Sequence, residues 1–177
     1  LVNGCGLSET VDGGFAEYAR VDSSSVVPIP AGMDAYQAMQ IGTAGYTAGL
    51  AIHRMEQNGQ APDLGPVVVT GATGGVGSIA VAILSRLGYA VTASTGRLQE
   101  TDFLKQLGAV EVIDRKPFAE KPRPLARETW AGAVDTVGGD TLGTLYAQMR
   151  RGGAIAVCGL AGGIGLETTV FPLILRG

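Results

Sequence analysis

Metal-ligating side chains are scarce in this sequence: it has one histidine, His53, and two cysteines, Cys5 and Cys158, far apart and outside any C-x-x-C spacing. The clustered Cys and His ligands of a structural or catalytic zinc are therefore lacking, and a reducing, metal-free, cytoplasmic setting fits such cysteine usage. Excess charge of one sign is lacking too. With 13 Lys and Arg against 16 Asp and Glu, a net charge of −3 and a pI near 5.1, the chain has no basic stripe to follow a nucleic-acid backbone. Nor is there a long apolar run. Mean hydropathy is +0.25, yet the longest uncharged apolar stretch, 152–166, is shorter than the roughly 20 residues of a spanning helix and holds six glycines. We therefore expect neither a nucleic-acid nor a membrane partner. Leu1 is not an initiator methionine and no charged n-region precedes an apolar core, so we expect no signal peptide and a chain that is part of a longer protein.

Glycine is what the sequence has in excess, 28 of 177 residues, more than twice the average usage of about 7%. Neither a G-X-Y period nor a proline-rich composition accompanies it, so fibres and flexible linkers do not explain it. With 46% apolar and 16% charged residues the chain is globular, and its glycines must occupy particular backbone positions. Residues 14–21 alternate with period two, as a half-buried strand does. The run Pro30-Ala31-Gly32-Met33 marks a domain boundary, dividing the chain into 1–33 and 34–177. Asp34 is placed to cap a helix through Ile41, and a second helix is expected over 43–57 before Asn58-Gly59 ends it. Strands are then expected at 67–70, 90–94, 111–113, 131–137 and 154–158, with helices at 75–87, 98–107 and 140–149. Such alternation predicts an α/β fold with a doubly wound parallel sheet, of which five strands are counted and a sixth would complete a dinucleotide-binding sheet.

The segment Val67-Val68-Val69-Thr70-Gly71-Ala72-Thr73-Gly74-Gly75-Val76-Gly77-Ser78 runs from an apolar strand through a glycine loop into a helix. That context gives weight to an otherwise weak G-x-G-x-x-G match, here with Ala72 in the first glycine slot. Gly74 would let the backbone approach a pyrophosphate, Gly77 would let helix and strand pack closely, and the helix N-terminus would supply N–H donors and the positive end of its dipole. A P-loop is excluded because no Gly-Lys-Ser/Thr follows. An NAD-preferring site carries Asp or Glu at the end of the second strand. Here that segment reads Ser94-Thr95-Gly96-Arg97, with no carboxylate before Glu100. A guanidinium at Arg97 pairs a 2′-phosphate that a carboxylate would repel, which points to NADP(H). Arg115, just past the third strand, is either a second phosphate or adenine contact or a solvated side chain.

These motifs resemble the zinc-independent quinone oxidoreductase branch of the medium-chain dehydrogenase/reductases, and within it the NADPH-dependent acrylyl-CoA reductase group. Besides the glycine loop, the resemblance rests on Ile41-Gly42-Thr43-Ala44-Gly45-Tyr46-Thr47-Ala48, Gly96-Arg97, Leu104-Lys105-Gln106-Leu107-Gly108-Ala109 and Trp130-Ala131-Gly132-Ala133-Val134-Asp135-Thr136-Val137-Gly138. Cys158-Gly159-Leu160-Ala161-Gly162-Gly163 and the final residues 171–177 extend it over nearly the whole chain. The resemblance implies a Rossmann domain lacking its last strand, preceded at 1–33 by the end of a GroES-like catalytic domain. It implies Thr73, Gly74, Gly75 and Val76 on the pyrophosphate, with Gly77 in the same cofactor-binding loop, Thr95, Gly96 and Arg97 on the adenosine phosphate, and Thr43 and the loop of Gly159, Leu160 and Ala161 beside the nicotinamide. The implied reaction is hydride transfer from NADPH to the β-carbon of an α,β-unsaturated thioester or ketone, an enoyl-CoA or quinone type of substrate, with protonation at the α-carbon. The implied full-length protein is a homodimer. Most of the catalytic domain falls outside this sequence, so we expect the piece to bind cofactor and to be a poor catalyst, and no catalytic residue is assigned.

Other residues have quieter readings. His53 lies mid-helix with no carboxylate at a fixed spacing and reads as structural, and Cys158 reads as a small buried hydrophobe at a strand end. Asp135 either orients backbone beneath the cofactor or serves a turn. The basic loop 115–127 is solvated or meets CoA phosphates. A short-chain dehydrogenase also carries a T-G-x-x-x-G-x-G loop, but none of Tyr18, Tyr36, Tyr46, Tyr89 and Tyr146 has Lys four residues on. A non-catalytic NADPH-binding sensor or structural protein of the same fold stays open as the alternative.

Overall fold

The computed structural model describes residues 1–177. The chain forms two compact units, Leu1–Tyr46 and Thr47–Gly177. This division falls within the first helix and not at the Pro30–Met33 run, where composition alone puts it.

The first unit is mostly irregular. Its turns are tied by the Gly6 carbonyl, which accepts from the N–H groups of Glu9, Thr10 and Val11 at 3.1, 2.8 and 3.1 Å. The alternating run at 14–21 is not a strand. Phe15 and Tyr18 are exposed, and no strand in this unit offers the segment a ladder; alternation yields a strand only where a partner takes the backbone hydrogen bonds. Helix α1 (Ala35–Gln57) is two helices merged across Gly42, whose φ of 51° and ψ of −157° break the ladder, so the two helices read from the sequence are both present. Asp34 and Gln37 cap it reciprocally: the Asp34 carboxylate accepts from the Gln37 N–H at 2.7 Å, and the Gln37 side chain accepts from the Asp34 N–H at 3.1 Å. The helix closes at Asn58-Gly59, where the Gln60 N–H reaches back to the Met55 carbonyl at 3.0 Å.

The second unit alternates β1 (Val67–Val69), α2 (Gly75–Arg86), β2 (Val91–Thr95), α3 (Thr101–Gln106), β3 (Glu111–Asp114), β4 (Trp130–Asp135), α4 (Gly139–Gln148), β5 (Met149–Val157) and α5 (Phe171–Arg176). All strand pairings are parallel, in the order β3-β2-β1-β4-β5. The sheet is thus the doubly wound one expected, and the order reverses between β1 and β4, where such sheets bind ligands. Side-chain alternation along β1 builds two cores. Val67 and Val69 pack with Ala80, Val81 and Leu84 of α2, Leu104 of α3, and Ala48, Ile52 and Met55 of α1. Val68 faces the other way, onto Phe118, Trp130, Ala133, Leu145 and Met149. A strand buried on both faces must be continuously apolar, which is why Val-Val-Val needs no alternation.

Two elements differ from expectation. β5 begins at Met149, directly after α4, and its pairing with β4 slips between Trp130 and Gly132. The charged and glycine residues of 150–153 hide this extension from any hydrophobic pattern. Helix α5 is short, amphipathy is illegible over six residues, and it is held by the buried Pro172 and by the hydrogen bonds of Arg176.

Candidate dinucleotide-binding crevice

The C-terminal ends of β1, β2 and β4 open into one crevice of about 720 Å³, lined by Thr70, Gly71, Thr73, Gly74, Ser94 to Arg97, Arg115, Lys116, Thr136, Val137, Asp140, Thr141, Ala161 and Gly162 among others. Its floor is the β1 to α2 loop. Gly74 caps α2 without any side-chain hydrogen bond, and the first turn carries no acidic residue, so the N–H groups of Gly75, Val76 and Gly77 have no intrahelical partners. Gly77 is required by packing: a Cβ there would stand 2.3 Å from the Gly71 carbonyl oxygen and 2.8 Å from the Ala72 Cα. Those are backbone atoms of the strand exit and cannot yield.

At the β2 end the charge is positive. The Arg97 N–H donates to Thr95 Oγ1 at 3.0 Å and its guanidinium to the Thr73 carbonyl at 3.4 Å, while the Thr73 and Thr95 hydroxyls meet at 3.2 Å. Arg115 donates its N–H to the Thr95 carbonyl at 3.0 Å. Lys116 pairs with Asp114 at 3.7 Å, both partly or well exposed, and the Asp114 carboxylate also accepts the Lys116 N–H at 2.9 Å. Asp114 is thereby turned onto its own neighbour.

Beneath the crevice Asp135 is fully buried and joins β1 to β4. Its carboxylate accepts the Thr70 hydroxyl at 2.6 Å, the Gly138 N–H at 2.9 Å and the Val137 N–H at 3.3 Å. Thr136 answers, donating its N–H to Thr70 Oγ1 at 3.1 Å and its hydroxyl to the Thr70 carbonyl at 2.9 Å. The turn role read for Asp135 is the one seen here, since it holds the turn that leads into α4. Cys158 is half-buried, and its N–H and thiol both donate to the Asp135 carbonyl, at 2.9 and 3.3 Å. Burial, then the Asp135 charge, pushes this thiol up, which favours its protonated form.

Of the residues singled out from the sequence, Thr73, Gly74, Thr95, Gly96, Arg97 and Arg115 line the crevice, and Gly75, Val76 and Gly77 open the helix at its floor. Of the 159–161 loop, Ala161 lines the crevice and Gly159 and Leu160 do not; Gly162 beside it also lines the crevice, and its N–H donates to the Val137 carbonyl at 2.7 Å. Thr43 lies in the first unit, its hydroxyl donating to the Asn3 side chain at 2.7 Å. His53 is exposed. Lys116, Thr136, Val137, Asp140 and Thr141 were not singled out, although the strand-end reasoning applied to β2 and β5 would have reached Thr136 and Val137 after β4.

Fold and crevice together define a Rossmann-type α/β domain. The chain belongs to the zinc-binding dehydrogenase family, whose profile matches residues 75–177. It is 53% identical over 176 residues to a protein of Escherichia coli named a probable acrylyl-CoA reductase, AcuI, covering 99% of this chain and 54% of that one. Among solved structures it matches the yhdH oxidoreductase of Salmonella enterica in complex with NADP at a TM-score of 0.96 and 52% identity, covering 99% of this chain and 54% of that one. The Bacillus subtilis protein yhfP with NAD bound matches at 0.93 and 50%, covering 97% and 53%. The resemblance drawn from the motifs therefore stands, and the chain spans about half the length of the curated relatives it matches. The family description names zinc, but no group of three or more His, Cys, Asp or Glu side chains in these residues is arranged to hold a metal ion. No helix is long and apolar enough to cross a membrane.

Proposed function

We propose that this chain is the nucleotide-binding half of an NADPH-dependent, zinc-independent reductase that saturates the C=C bond of an α,β-unsaturated thioester or ketone, of the acrylyl-CoA or quinone type. The observation that carries the cofactor is the β2 end of the crevice, where Arg97, Arg115 and Lys116 line the wall and neither arginine is in an ion pair. The names of the relatives support the substrate class.

The free N–H groups at the start of α2 would hold the pyrophosphate, with the helix dipole adding to the attraction. Arg97 and Arg115 would hold the adenosine phosphate through charge-assisted hydrogen bonds worth about 1.5–3 kcal/mol each, tenfold or more in affinity. Asp135 and Thr70 keep the β1 and β4 exits in register, so that Val137 and the 158–163 loop stand in fixed places. NADPH, when bound, supplies a hydride to the substrate β-carbon.

The test pairs cofactor titration with turnover. We expect NADPH to bind more tightly than NADH, and a chain extended to the length of its relatives to oxidise NADPH with acryloyl-CoA or a quinone. Tight NADPH binding with oxidation by neither acceptor contradicts the catalytic reading.

A further inference from the structure

We propose that Gly96 is a specificity-determining position that acts through Arg115: the space left by its absent side chain is where the Arg115 guanidinium lies, and that placement tunes the crevice for a phosphorylated adenosine. The proposal rests on the NADPH reading above.

Glycine at 96 is not explained by backbone conformation. Gly71, Gly138 and Gly139 around the same crevice have φ of 57°, 71° and 55°, in the left-handed region, whereas Gly96 is absent from that set. An L-residue is therefore sterically permitted by its backbone. What it would meet is one side chain. A Cβ on Gly96 would stand 2.6 Å from Arg115 Nε, 2.9 Å from Cδ and 3.0 Å from Cζ. The guanidinium end of Arg115 thus lies across the Gly96 Cα.

Arg115 cannot retreat as a whole, because its N–H is bonded to the Thr95 carbonyl at 3.0 Å and Asp114 before it is in parallel register with Thr95. Only the side chain can give. Arg97 is referenced to the same residue through Thr95 Oγ1. The two guanidinium groups are therefore placed from one strand end, and neither forms an ion pair with a carboxylate. A guanidinium seated by packing instead of by an acid keeps its planar fork of donors for an incoming oxyanion. Adding one methyl at residue 96 displaces a flexible side-chain end, which costs the fold little. It also removes the aim of the fork, which costs the phosphate contact.

The test is a set of NADPH and NADH titrations of the protein with wild-type sequence, Gly96→Ala, Arg115→Ala and the double variant, with thermal melts alongside. We expect Gly96→Ala to weaken NADPH about tenfold, one charge-assisted contact, to leave NADH within about twofold, and to move Tm by no more than about 2–4 °C, the shift of a 1 kcal/mol change in a chain this size. The double variant should be no weaker than Arg115→Ala, because both changes remove the same interaction. Arg115→Lys, which leaves Gly96 untouched, should lose most of the preference as well. A wild-type NADPH-to-NADH ratio in Gly96→Ala, equal loss of both cofactors, or additive losses in the double variant would overturn the role of Gly96 alone. Equal affinities in the wild type would overturn the NADPH reading itself.

Discussion

At the end of β2 the crevice is lined by a guanidinium, Arg97, where an NAD-selective site carries a carboxylate. The Arg97 backbone is fixed by Thr95, so its side chain starts from a set position. We expect Arg97→Ala to weaken NADPH at least tenfold, since a lost charge-assisted contact is worth about 1.5–3 kcal/mol, and to leave NADH nearly unchanged; calorimetric titration giving equal losses for both would remove Arg97 from the phosphate. Gly77→Ala is a different kind of change. Its methyl meets the Gly71 carbonyl and Ala72 Cα, so we expect a loss of about 1–3 kcal/mol in urea unfolding, typical of overpacking, together with both cofactors. Wild-type stability in that variant would mean that the strand exit yields. Thr73, Gly74, Thr95, Gly96 and Arg97 were legible because each sits within a few residues of an apolar strand, where loop chemistry is local. Asp140 and Thr141, inside α4, reach the crevice only because β4 pairs with β1 across the whole β2 and β3 excursion, and no local pattern encodes that pairing.

Helix α5 shows how an element too short to be stable alone is held. Arg176 donates to the carbonyls of Ala147 at 2.6 Å, Met149 at 3.0 Å and Ala126, and pairs with Glu128 at 3.6 Å from a nearly buried position. A six-residue helix has too few turns to offset its nucleation cost, so its docking rests on tertiary contacts, of which those of Arg176 are the polar part. We expect Arg176→Ala to cost about 2–3 kcal/mol, the scale of hydrogen bonds to a charged donor, and to speed amide exchange throughout 171–176. Unchanged exchange there would show that the helix is held by its apolar face. The parallel strands were legible as apolar runs bounded by glycine, because burial on both faces leaves no room for polar residues. The 14–21 run shows the converse: Phe15 and Tyr18 alternate with polar neighbours yet stand exposed, since period two specifies which face a strand would present and nothing about whether a partner exists. The 149–153 start of β5 escaped notice for the opposite reason, its pairing made by Met149 and backbone rather than by an apolar pattern.

For the molecule as a whole, stability at high pH has an identifiable weak point. Burial, then the Glu56 carboxylate, pushes the Tyr89 phenol up to about 12 from its ordinary value near 10. Its hydroxyl donates to the Gln60 carbonyl and to Glu56, both at 3.2 Å. The folded state holds this proton more tightly than the unfolded chain, so the contribution is complete below about pH 10 and is lost as pH rises toward about 12. Urea midpoints followed through that window should fall in the wild type and change less in Tyr89→Phe, which starts lower; parallel curves would assign the alkaline loss to other groups. The sheet order, the glycine loop and the basic β2 end converge on one crevice at the switch point between β1 and β4, and the proposed function turns on what that crevice prefers. The most direct measurement is the ratio of the NADH and NADPH dissociation constants for the wild-type chain, by fluorescence titration at one ionic strength. The account expects NADPH to bind at least about tenfold more tightly, the equivalent of 1.4 kcal/mol; equal affinities, or a preference for NADH, would contradict it.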